Sequence, residues 1–285
     1  MITAQLVGGL GNQMFQYAAG RALSLRRGVG LRLDASEFKT YRLHSYGLNH
    51  LAISAEVTNV RQPGSTGSRV LDRLRDLAGL GAPALYRENG LRFDPSVLTL
   101  QGNTTLAGYW QCERYFADHA DLIRAELTVK TQVAGDNLTC LERICSSVSV
   151  SVHIRRGDYV SNRAANSVHG TCDIPYYEAA AHHIAERCGK TPVFYIFSDD
   201  PDWVRENFKI PFEMISVRHN SVDRNYEDLR LMSACNHHII ANSSFSWWGA
   251  WLNPSEGKIV VAPQRWFKTA ALDSTDLLPA EWIRL

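Results

Sequence analysis

The amino-acid sequence predicts an α/β fold built on parallel sheets, and three features lead to this prediction. The chain opens as a strand over residues 1–7, a helix over 13–27 and a second strand over 30–34, with a glycine-rich turn before the helix. Its second half repeats strand-then-helix units, which is the pattern of a parallel sheet. One of these strands, residues 193–197, is fully apolar, as expected of a strand buried on both faces.

Length and composition limit the classes of protein to consider. The 285 residues suffice for one large domain or two of ordinary size, and 45% of them are hydrophobic. The net charge of +1 argues against a nucleic-acid partner, because nucleic-acid-binding domains carry a basic face. No apolar run approaches the ~20 residues of a membrane span, and the start of the chain does not resemble a signal peptide. We therefore expect a soluble, cytoplasmic protein.

The cysteines and histidines do not predict a metal site. The six cysteines include no Cys-x-x-Cys pair, so reduced thiols are expected rather than a zinc or thioredoxin-type site. The doublets His182-His183 and His237-His238 lack the spacing of a helical metal site, which favours structural roles. The sequence also lacks an Asp-x-Asp triplet, which weakens a metal-dependent nucleotide-sugar site.

The first glycine-rich turn, residues 8–12, opens a helix whose N–H groups can bind an anion or a polar ligand. Asp34 has the spacing of a ribose contact in a dinucleotide site. Met14, however, occupies the position of the third glycine of the dinucleotide motif. The amides of Asn12 and Gln13 are better suited to sugar hydroxyls, and a tight turn without a ligand is the alternative.

The next segments predict the end of a first domain. Residues 61–69 have the composition of a surface loop, and residues 70–80 alternate charge and leucine like an amphipathic helix. A helix over 136–146 joins two halves, so we expect domains at residues 1–140 and 141–285.

A second strand-to-helix corner lies at residues 108–111, between a strand over 104–109 and a helix over 113–127. Trp110 and Glu113 at this corner are an aromatic and a carboxylate, a combination common in sugar binding. Trp110 is equally suited to a place in the core.

A β-branched run over residues 148–152 predicts a buried strand that stops at Arg155 and Arg156. Open α/β sheets bind ligands outside the carboxyl ends of their strands. A double arginine at such an end is a forked cation suited to a phosphate. Asp158 is the nearest group able to act as a base. An Arg–Asp ion pair that closes a surface turn is the alternative.

Two further strand ends carry polar groups. Asp199 and Asp200 follow the apolar strand, where either carboxylate can cap the next helix or accept from two adjacent N–H donors, as on a guanine edge. The serine-rich residues 242–246 follow another strand and open a helix, where hydroxyl and N–H groups form a neutral anion cradle. Together with the arginines, these ends predict a nucleotide diphosphate site. The absence of a Gly-x-x-x-x-Gly-Lys-Ser/Thr loop excludes a P-loop kinase.

Six blocks of sequence span nearly the whole chain and match one family in order. They lie at residues 8–17, 108–111, 153–159, 197–200, 225–233 and 241–253. The His-x-Arg-Arg-Gly-Asp sequence of the third block is typical of this group and its fucosyltransferase relatives. On these blocks the chain resembles the bacterial α-1,2-fucosyltransferases of glycosyltransferase family 11. Residues 40–100 contain no such block.

The resemblance implies a GT-B-like fold, with two Rossmann-like domains facing across a cleft. It implies that the C-terminal domain binds GDP-β-L-fucose and that the N-terminal domain faces the acceptor. The implied reaction is an inverting, metal-independent transfer of L-fucose to the 2-hydroxyl of a terminal galactose in an oligosaccharide. GDP-fucose is then a co-substrate, no other cofactor is needed, and the product belongs to a membrane or lipopolysaccharide glycan. Peripheral membrane association is compatible with this role.

The resemblance also implies roles for individual residues. Arg155 would stabilise the leaving diphosphate, and Asp158 would take the acceptor proton or, beside two arginines, only orient Arg155 or the acceptor. The donor-binding residues would be His153, Arg155, Arg156, Ser198, Asp199, Ser243, Ser244, Phe245 and Ser246. The acceptor-binding residues would be Gly11, Asn12, Gln13, Trp110 and Glu113. For His153, a buried histidine with satisfied hydrogen bonds is the alternative.

Three other functions remain open from the sequence. They are a fucosyltransferase of another linkage, a NAD-dependent oxidoreductase that uses the Gly9/Gly11 turn, and a non-catalytic sugar- or nucleotide-binding protein.

Overall fold

The computed structural model describes residues 1–40, 43–58, 83–269 and 271–285, without the side chains of Asp158, Ser161, Ala164 and Ala165. These residues form two compact units, Met1–Glu126 and Leu127–Leu285. Each unit contains a parallel sheet with helices, so the predicted α/β, GT-B-like fold class is confirmed. The loop predicted over 61–69 and the helix predicted over 70–80 lie outside the described residues.

In the described part of the first unit, five parallel strands form one sheet. They are β1 (Ile2–Gln5), β2 (Leu31–Asp34), β3 (Glu56–Thr58), β4 (Ala84–Arg87) and β5 (Thr104–Ala107). The order across the sheet is β3-β2-β1-β5-β4. The chain therefore moves outward from β1 through β2 and β3, and the later strands lie on the other side of β1.

The first helix, α1 (Leu10–Arg27), packs its predicted apolar side into the core of this unit. The buried positions include Met14, Phe15, Ala18, Ala19 and Ala22. Gly28 ends the helix with a left-handed φ of 61°, the cap conformation that glycine adopts most easily.

The single helix predicted over residues 113–127 is wrong. The structure has 3₁₀ segments at Glu113–Tyr115 and Ala117–His119, followed by α2 (Ala120–Glu126). Between the two segments Phe116 leaves the helical region, with φ −139°, and its buried ring packs 6.2 Å from that of Phe15. Burial of this ring outweighs the helical pattern.

Six parallel strands form the sheet of the second unit, counted over its described residues. They are β6 (Ser149–Ile154), β7 (Val193–Ser198), β8 (Met214–Val217), β9 (His237–Ile239), β10 (Val260–Ala262) and β11 (Ile283–Arg284). The order across the sheet is β11-β10-β9-β6-β7-β8. All of β6 is buried, as its β-branched sequence predicted.

In the described part of the second unit, one helix precedes the first strand, and the others follow strands β6 to β9. The helices are α3 (Asp136–Cys145), α4 (Gly157–Ser161), α5 (Arg163–Val168), α6 (Ile174–Ala185), α7 (Pro201–Asn207), α8 (Asn225–Ala234) and α9 (Ser244–Leu252). The short helices α4 and α5 form in the polar segment that follows β6. The Asn166 side chain donates to the Tyr159 carbonyl over 2.6 Å and ties these two helices together, which composition does not reveal.

The units divide between Glu126 and Leu127, earlier in the chain than the boundary predicted at 140/141. The predicted helix is present as α3, but it belongs wholly to the second unit. Its Cys140 and Ile144 side chains are buried in a cluster with Tyr195 of β7. None of the helices in the described residues is long and apolar enough to cross a membrane.

Candidate functional site

The strand order of the second unit reverses between β6 and β9. From β6 the sheet continues to β7 and β8 on one side, and from β9 to β10 and β11 on the other. Open parallel sheets bind ligands outside the carboxyl ends of their strands at such a reversal. Arg155 and Arg156 follow β6, and residues 242–246 follow β9. Two of the sequence regions predicted to bind a diphosphate therefore lie at the expected position in the sheet.

The arginines pair with the two aspartates that follow the neighbouring strand. The register of β6 and β7 sets Ile154 beside the last residue of β7, so the next positions also lie side by side. Arg155 Nη1 lies 2.9 Å from Asp199 Oδ2, and Arg156 Nε lies 3.2 Å from Asp200 Oδ2. Both arginines thus form ion pairs with the end of the neighbouring strand. The pair with Asp158 that would close a surface turn stays a prediction, because that side chain lies outside the described residues.

The two aspartates have different further contacts. Asp200 caps α7, because its Oδ1 accepts a hydrogen bond from the Trp203 amide over 3.2 Å. Asp199 Oδ1 accepts from the Arg156 amide over 2.8 Å. Of the two roles expected from the sequence, helix capping belongs to Asp200. A guanine contact by Asp199 stays a prediction. Its two carboxylate oxygens contact the loop after β6, Oδ2 at the Arg155 side chain and Oδ1 at the Arg156 amide.

Arg156 is held more firmly than a surface arginine. Its guanidinium carbon lies 3.7 Å above the Trp203 ring, and its side chain is 19% exposed. The cation–π contact and the ion pair fix the guanidinium plane against α7. Arg156 thus adds positive charge to the site from a fixed position.

Ser198 connects the ends of β6 and β7. Its hydroxyl donates to the Ile154 carbonyl over 2.8 Å and accepts from the Asp200 amide over 3.0 Å. These contacts hold the strand ends in register, and a contact of Ser198 with the donor stays a prediction.

His153, near the end of β6, is buried, with 4% of its surface exposed. Within the described part of the chain its Nδ1 has no hydrogen-bond partner, and its ring lies 5.6 Å from that of Phe245. Burial, with a smaller contribution from Arg155, lowers its pKa to about 3. The imidazole is therefore neutral near pH 7 and can offer a hydrogen bond but no positive charge.

The serine-rich residues 242–246 after β9 differ in burial. The buried Ser246 hydroxyl donates to the Ser243 carbonyl over 3.2 Å and also lies 3.3 Å from the Ala241 carbonyl. Ser243 is the N-cap residue of α9, and Ser244 and Phe245 lie half-buried in its first turn. Ser246 thus stabilises the loop from inside, and the first turn is the part that can present N–H groups to an anion.

Asn242 organises the surroundings of this loop, a role that sequence reasoning missed. Its buried amide donates to the carbonyls of His169, over 2.9 Å, and Trp266, over 3.2 Å. Its own carbonyl accepts from the Tyr159 hydroxyl over 3.3 Å. Asn242 therefore connects three other segments around the reversal, two through its side-chain amide and one through its main-chain carbonyl. The only signal in the sequence was an amide directly after a buried strand.

Asp158, the predicted base, belongs to α4. Its side chain lies outside the described part of the structure, so its role stays a prediction.

A polar cluster at the carboxyl end of β8 was also missed. His219 Nε2 lies 2.8 Å from Asn137 Oδ1, and the Asn220 amide donates to Asp228 Oδ1 over 2.8 Å. Asn137 and Asn220 are hydrogen-bonded to each other over 2.9 Å. Burial raises the pKa of Asp228 to about 6. The family-like block at residues 225–233 included Asp228 but indicated no chemical role for it.

In the first unit, the strand order reverses between β1 and β5. The loops that follow these strands are the two for which acceptor binding was predicted. Asn12 Oδ1 accepts from Gln111 Nε2 over 2.8 Å, which joins the loops directly. Asn12 is half-buried, as suits a side chain that contacts a ligand.

Gln13 has a structural role instead. It is fully buried, and its Nε2 donates to the carbonyls of Gly8, over 2.9 Å, and Ser45, over 3.0 Å. Its Oε1 accepts from the Gly47 amide over 2.9 Å. These bonds hold the 45–47 segment against the start of α1 and use the amide fully. Gly11 is buried within the same helical turn.

At the second corner, Trp110 lies in the core and the adjacent Tyr109 lies at the rim. Trp110 is 1% exposed and packs edge-on against Tyr115 at 5.6 Å, whereas Tyr109 is 41% exposed. Trp110 has φ 57°, a left-handed conformation that is rare for an aromatic residue. Glu113 begins the 3₁₀ segment that follows and is half-buried. The core alternative for Trp110 therefore applies, and Tyr109 is the rim aromatic.

Glu88 holds this corner and was missed, because residues 40–100 carried no recognisable block. It follows β4, and its Oε2 and Oε1 accept from the amides of Tyr109, over 2.6 Å, and Trp110, over 2.9 Å. Burial raises the pKa of Glu88, and the two amide hydrogen bonds oppose this rise. Strained backbone of this kind, held by surrounding contacts, often occurs at functional sites.

The remaining histidine and cysteine expectations concern structure. His238 Nδ1 lies 2.8 Å from Ser151 Oγ and His238 Nε2 lies 2.9 Å from Asn253 Nδ2, so this doublet member has a structural role. All six cysteines lie in the described residues and are free thiols. No group of three His, Cys, Asp or Glu residues suited to a metal occurs in the ranges that the structure describes.

Comparison with known proteins places these features in one family. The model of glycosyl transferase family 11 matches residues 89–285. The alpha-1,2-colitosyltransferase of Escherichia coli is 36% identical, covering 100% of this chain and 99% of its own. The O-antigen biosynthesis glycosyltransferase WbnK of Escherichia coli is 31% identical over 98% of this chain and 99% of its own. The galactoside 2-alpha-L-fucosyltransferase Sec1 of Mus musculus is 29% identical over 48% of this chain and 38% of its own.

Proposed function

The chain belongs to glycosyl transferase family 11, and we propose that it transfers L-fucose from GDP-β-L-fucose to the 2-hydroxyl of a terminal galactose. The product is an α-1,2-linked fucoside, formed with inversion at the fucose carbon. The observation that carries the proposal is the Arg155–Arg156 pair at the strand-order reversal of the second unit, beside the first turn of α9. This is a diphosphate-binding arrangement made from fixed cations and N–H groups.

The relatives support the linkage and the setting. The colitosyltransferase and Sec1 both have names that specify transfer to a 2-position, and WbnK is named for O-antigen biosynthesis. We therefore propose an oligosaccharide of a cell-surface glycan as the acceptor. We also propose a cytoplasmic site of action, which the six free thiols support because such thiols persist in reducing compartments.

The donor half of the mechanism relies on charge. As the bond from fucose to the β-phosphate breaks, negative charge grows on the diphosphate. Arg155 donates to that charge, Arg156 adds a positive field, and the amides of Ser244 and Phe245 at the start of α9 add neutral donors. Losing one well-aimed donor of this kind typically costs on the order of 10²–10³ in rate. On this proposal the two arginines supply the charge that a metal ion provides in other glycosyltransferases.

His153 gives the donor site a neutral polar group. Its buried Nδ1 and low pKa support one hydrogen bond to the donor rather than an ion pair. The acceptor hydroxyl attacks from the face opposite the diphosphate and loses its proton to a base. We propose Asp158 for that step, worth ~10²–10⁴ in rate.

The acceptor is proposed to bind at the carboxyl edge of the first unit's sheet. Asn12 supplies an amide for sugar hydroxyls, and the exposed Tyr109 ring supplies an apolar face. Gln13 and Trp110 are both buried, so they stabilise this edge and do not contact the sugar.

A second donor is favoured by one specific observation. The relative that is 36% identical over the full chain is named a colitosyltransferase, and colitose is the 3-deoxy form of L-fucose. GDP-colitose is therefore the alternative donor. A site that hydrogen-bonds the 3-hydroxyl would reject the deoxy sugar strongly, whereas an apolar surface there would discriminate weakly.

The deciding experiment is a GDP-release assay with lactose as acceptor. GDP-fucose, GDP-colitose, GDP-mannose and UDP-galactose are compared at equal concentration, with and without EDTA. We expect GDP-fucose to give the highest kcat/KM, unchanged by EDTA, and NMR of the product to give an α-1,2 linkage. A preference for GDP-colitose would make that sugar nucleotide the donor in place of GDP-fucose. GDP release without sugar transfer to lactose, or no GDP release with any donor, would contradict the proposal.

A further inference from the structure

We propose that Asp199 is a positioning residue, which holds the Arg155 guanidinium in the orientation that meets the donor diphosphate. The inference rests on the proposed function. It gives Asp199 a role distinct from the guanine contact that the sequence suggested.

The ion pair between the two side chains is the first support. Asp199 Oδ2 lies 2.9 Å from Arg155 Nη1, and the two side chains are 21% and 24% exposed. A guanidinium has five N–H donors in a rigid fork, so it can bind a carboxylate and a phosphate oxygen at once. A carboxylate bound to one side of the fork therefore fixes the direction of the other side.

The carboxylate is itself fixed, which an orienting group must be. Its second oxygen, Oδ1, accepts from the Arg156 amide over 2.8 Å. Asp199 follows directly on β7, whose register with β6 is set along the whole length of both strands. Asp199 thus contacts the main chain of the loop whose Arg155 side chain it orients.

Gly157 supplies an independent third observation. A Cβ atom added to Gly157 would lie 2.4 Å from Asp199 Oδ2, closer than real Cβ contacts occur. A side chain at this position would force the carboxylate or the loop to move. The φ angle of Gly157 is not left-handed, so backbone conformation does not demand glycine here. The space that glycine leaves is the space that the Asp199 carboxylate occupies.

Two opposing effects follow when Asp199 loses its charge. Arg155 gains rotational freedom that must be lost again in the transition state, so turnover falls by about tenfold or somewhat more. The site also loses a negative charge next to the diphosphate, so the affinity for GDP is kept or rises. A positioning role thus separates kcat from donor affinity, whereas a guanine contact would lower the affinity itself.

The test uses Asp199→Asn in the full-length protein. Initial rates are measured with GDP-fucose and lactose, and calorimetry measures GDP and IDP binding, since IDP lacks the exocyclic amine of guanine. We expect kcat to fall about tenfold, GDP to bind within about threefold of wild type or more tightly, and the GDP/IDP preference to remain. A tenfold weaker GDP affinity with loss of that preference, or an unchanged kcat, overturns the proposal.

Gly157→Ala tests the same geometry without removing a charge. Its matched control is Gly257→Ala, where an added Cβ meets nothing closer than the Ser255 hydroxyl at 4.0 Å. We expect Gly157→Ala to reproduce the fall in kcat at an unchanged unfolding midpoint, and the control to match wild type. A Gly157→Ala variant that turns over like the control contradicts the proposal.

A readout that does not need turnover separates this proposal from the proposed function. In ¹⁵N-labelled wild type, NMR should detect slow rotation of the Arg155 guanidinium, and fast rotation in Asp199→Asn. Equal rotation in both proteins refutes positioning. If no GDP-sugar supports turnover but the rotation differs as expected, the proposed function fails and the orienting contact stands.

Discussion

The two units hold their ligand-facing loops with the same kind of carboxylate contact. Glu88 follows β4 and accepts amides that follow β5, and Asp199 follows β7 and accepts an amide that follows β6. In each case a glycine lies against the acidic side chain. A Cβ on Gly108 would lie 2.4 Å from Glu88 Cβ, and one on Gly157 would lie 2.4 Å from Asp199 Oδ2. Carboxylate and glycine together set the loop after a neighbouring parallel strand.

The difference between the two carboxylates is their charge compensation. Asp199 pairs with Arg155, whereas no ion pair to Glu88 occurs among the residues that the structure describes. Burial without a cation raises the pKa of Glu88. The second unit therefore has two guanidinium groups at its strand ends, each paired with an aspartate. The first unit exposes an aromatic ring, Tyr109, beside the half-buried Asn12 amide.

The largest effect that tests this contrast is expected from Arg155→Ala. The transition state loses its main donor to the diphosphate, so kcat/KM should fall by about 10²–10³ or more. Stability should change by less than about 1 kcal/mol, because partly exposed ion pairs contribute little. Initial rates and thermal unfolding measure the two quantities.

The matched control for this change is Arg205→Ala. Arg205 is 56% exposed and pairs with Asp202 on α7 of the same unit, over 2.8 Å. We expect the Arg205→Ala variant to have the same kcat/KM as wild type. Equal activity of the two variants would remove Arg155 from the donor site.

A smaller effect is expected from Glu88→Gln, and it should concern the acceptor. The glutamine amide cannot accept both the Tyr109 and Trp110 amides, so the strained corner should relax and Tyr109 should shift. We expect the KM for lactose to rise about tenfold, because one contact of roughly 1.4 kcal/mol is lost. The affinity for GDP should not change. Rates over a range of lactose concentrations and a GDP titration measure both.

Glu56→Gln provides the control for Glu88. Glu56 is 54% exposed and pairs with Arg32 at the surface of the same unit. If Glu88→Gln raises the acceptor KM no more than Glu56→Gln does, the corner does not position the acceptor.

The smallest effect concerns a third carboxylate, the half-buried Asp228, and appears in stability. Its pKa in the folded protein is about 6, above the unfolded value, because burial disfavours the charge. Its stabilising contribution is therefore full below about pH 4, the unfolded pKa, and is lost as the pH rises through about 6. Asp228→Asn keeps an acceptor for Asn220 but carries no charge. It should be more stable than wild type at about pH 7.5, by on the order of 1–2 kcal/mol.

Chemical unfolding at several pH values measures this difference, which should shrink towards about pH 4. A variant that is less stable than wild type at about pH 7.5 would mean that the Asp228 charge is compensated in the folded state.

The sequence was sufficient for the central strands β1, β2, β5, β6 and β7, the glycine turn and the positions of the charged strand ends, but not for β3, β4 and β11. Those features depend on local patterns, such as the β-branched run before Arg155 and the serines after β9. The pairing of Arg155 with Asp199 depends on the register of β6 and β7, which joins residues far apart in the chain. If two parallel strands are known to be neighbours, opposite charges at the same distance beyond the two strand ends are predicted to pair.

Side-chain direction was the part that local patterns could not supply. Tyr109 and Trp110 are adjacent aromatics, and the left-handed backbone at Trp110 decides which of them is buried. Asn12 and Gln13 are adjacent amides, and the Ser45 carbonyl and the Gly47 amide draw Gln13 inward. Glu88 carries no motif, and its role exists only because β4 and β5 are neighbours.

The central claim is that the carboxyl edge of the second unit's sheet binds the donor diphosphate through Arg155. The most direct measurement is a calorimetric titration of GDP into wild type, Arg155→Ala and Arg205→Ala. We predict that wild type and Arg205→Ala bind GDP equally and that Arg155→Ala binds it at least about tenfold more weakly, since a charge-assisted hydrogen bond is lost. Equal GDP affinity in all three proteins would contradict the account.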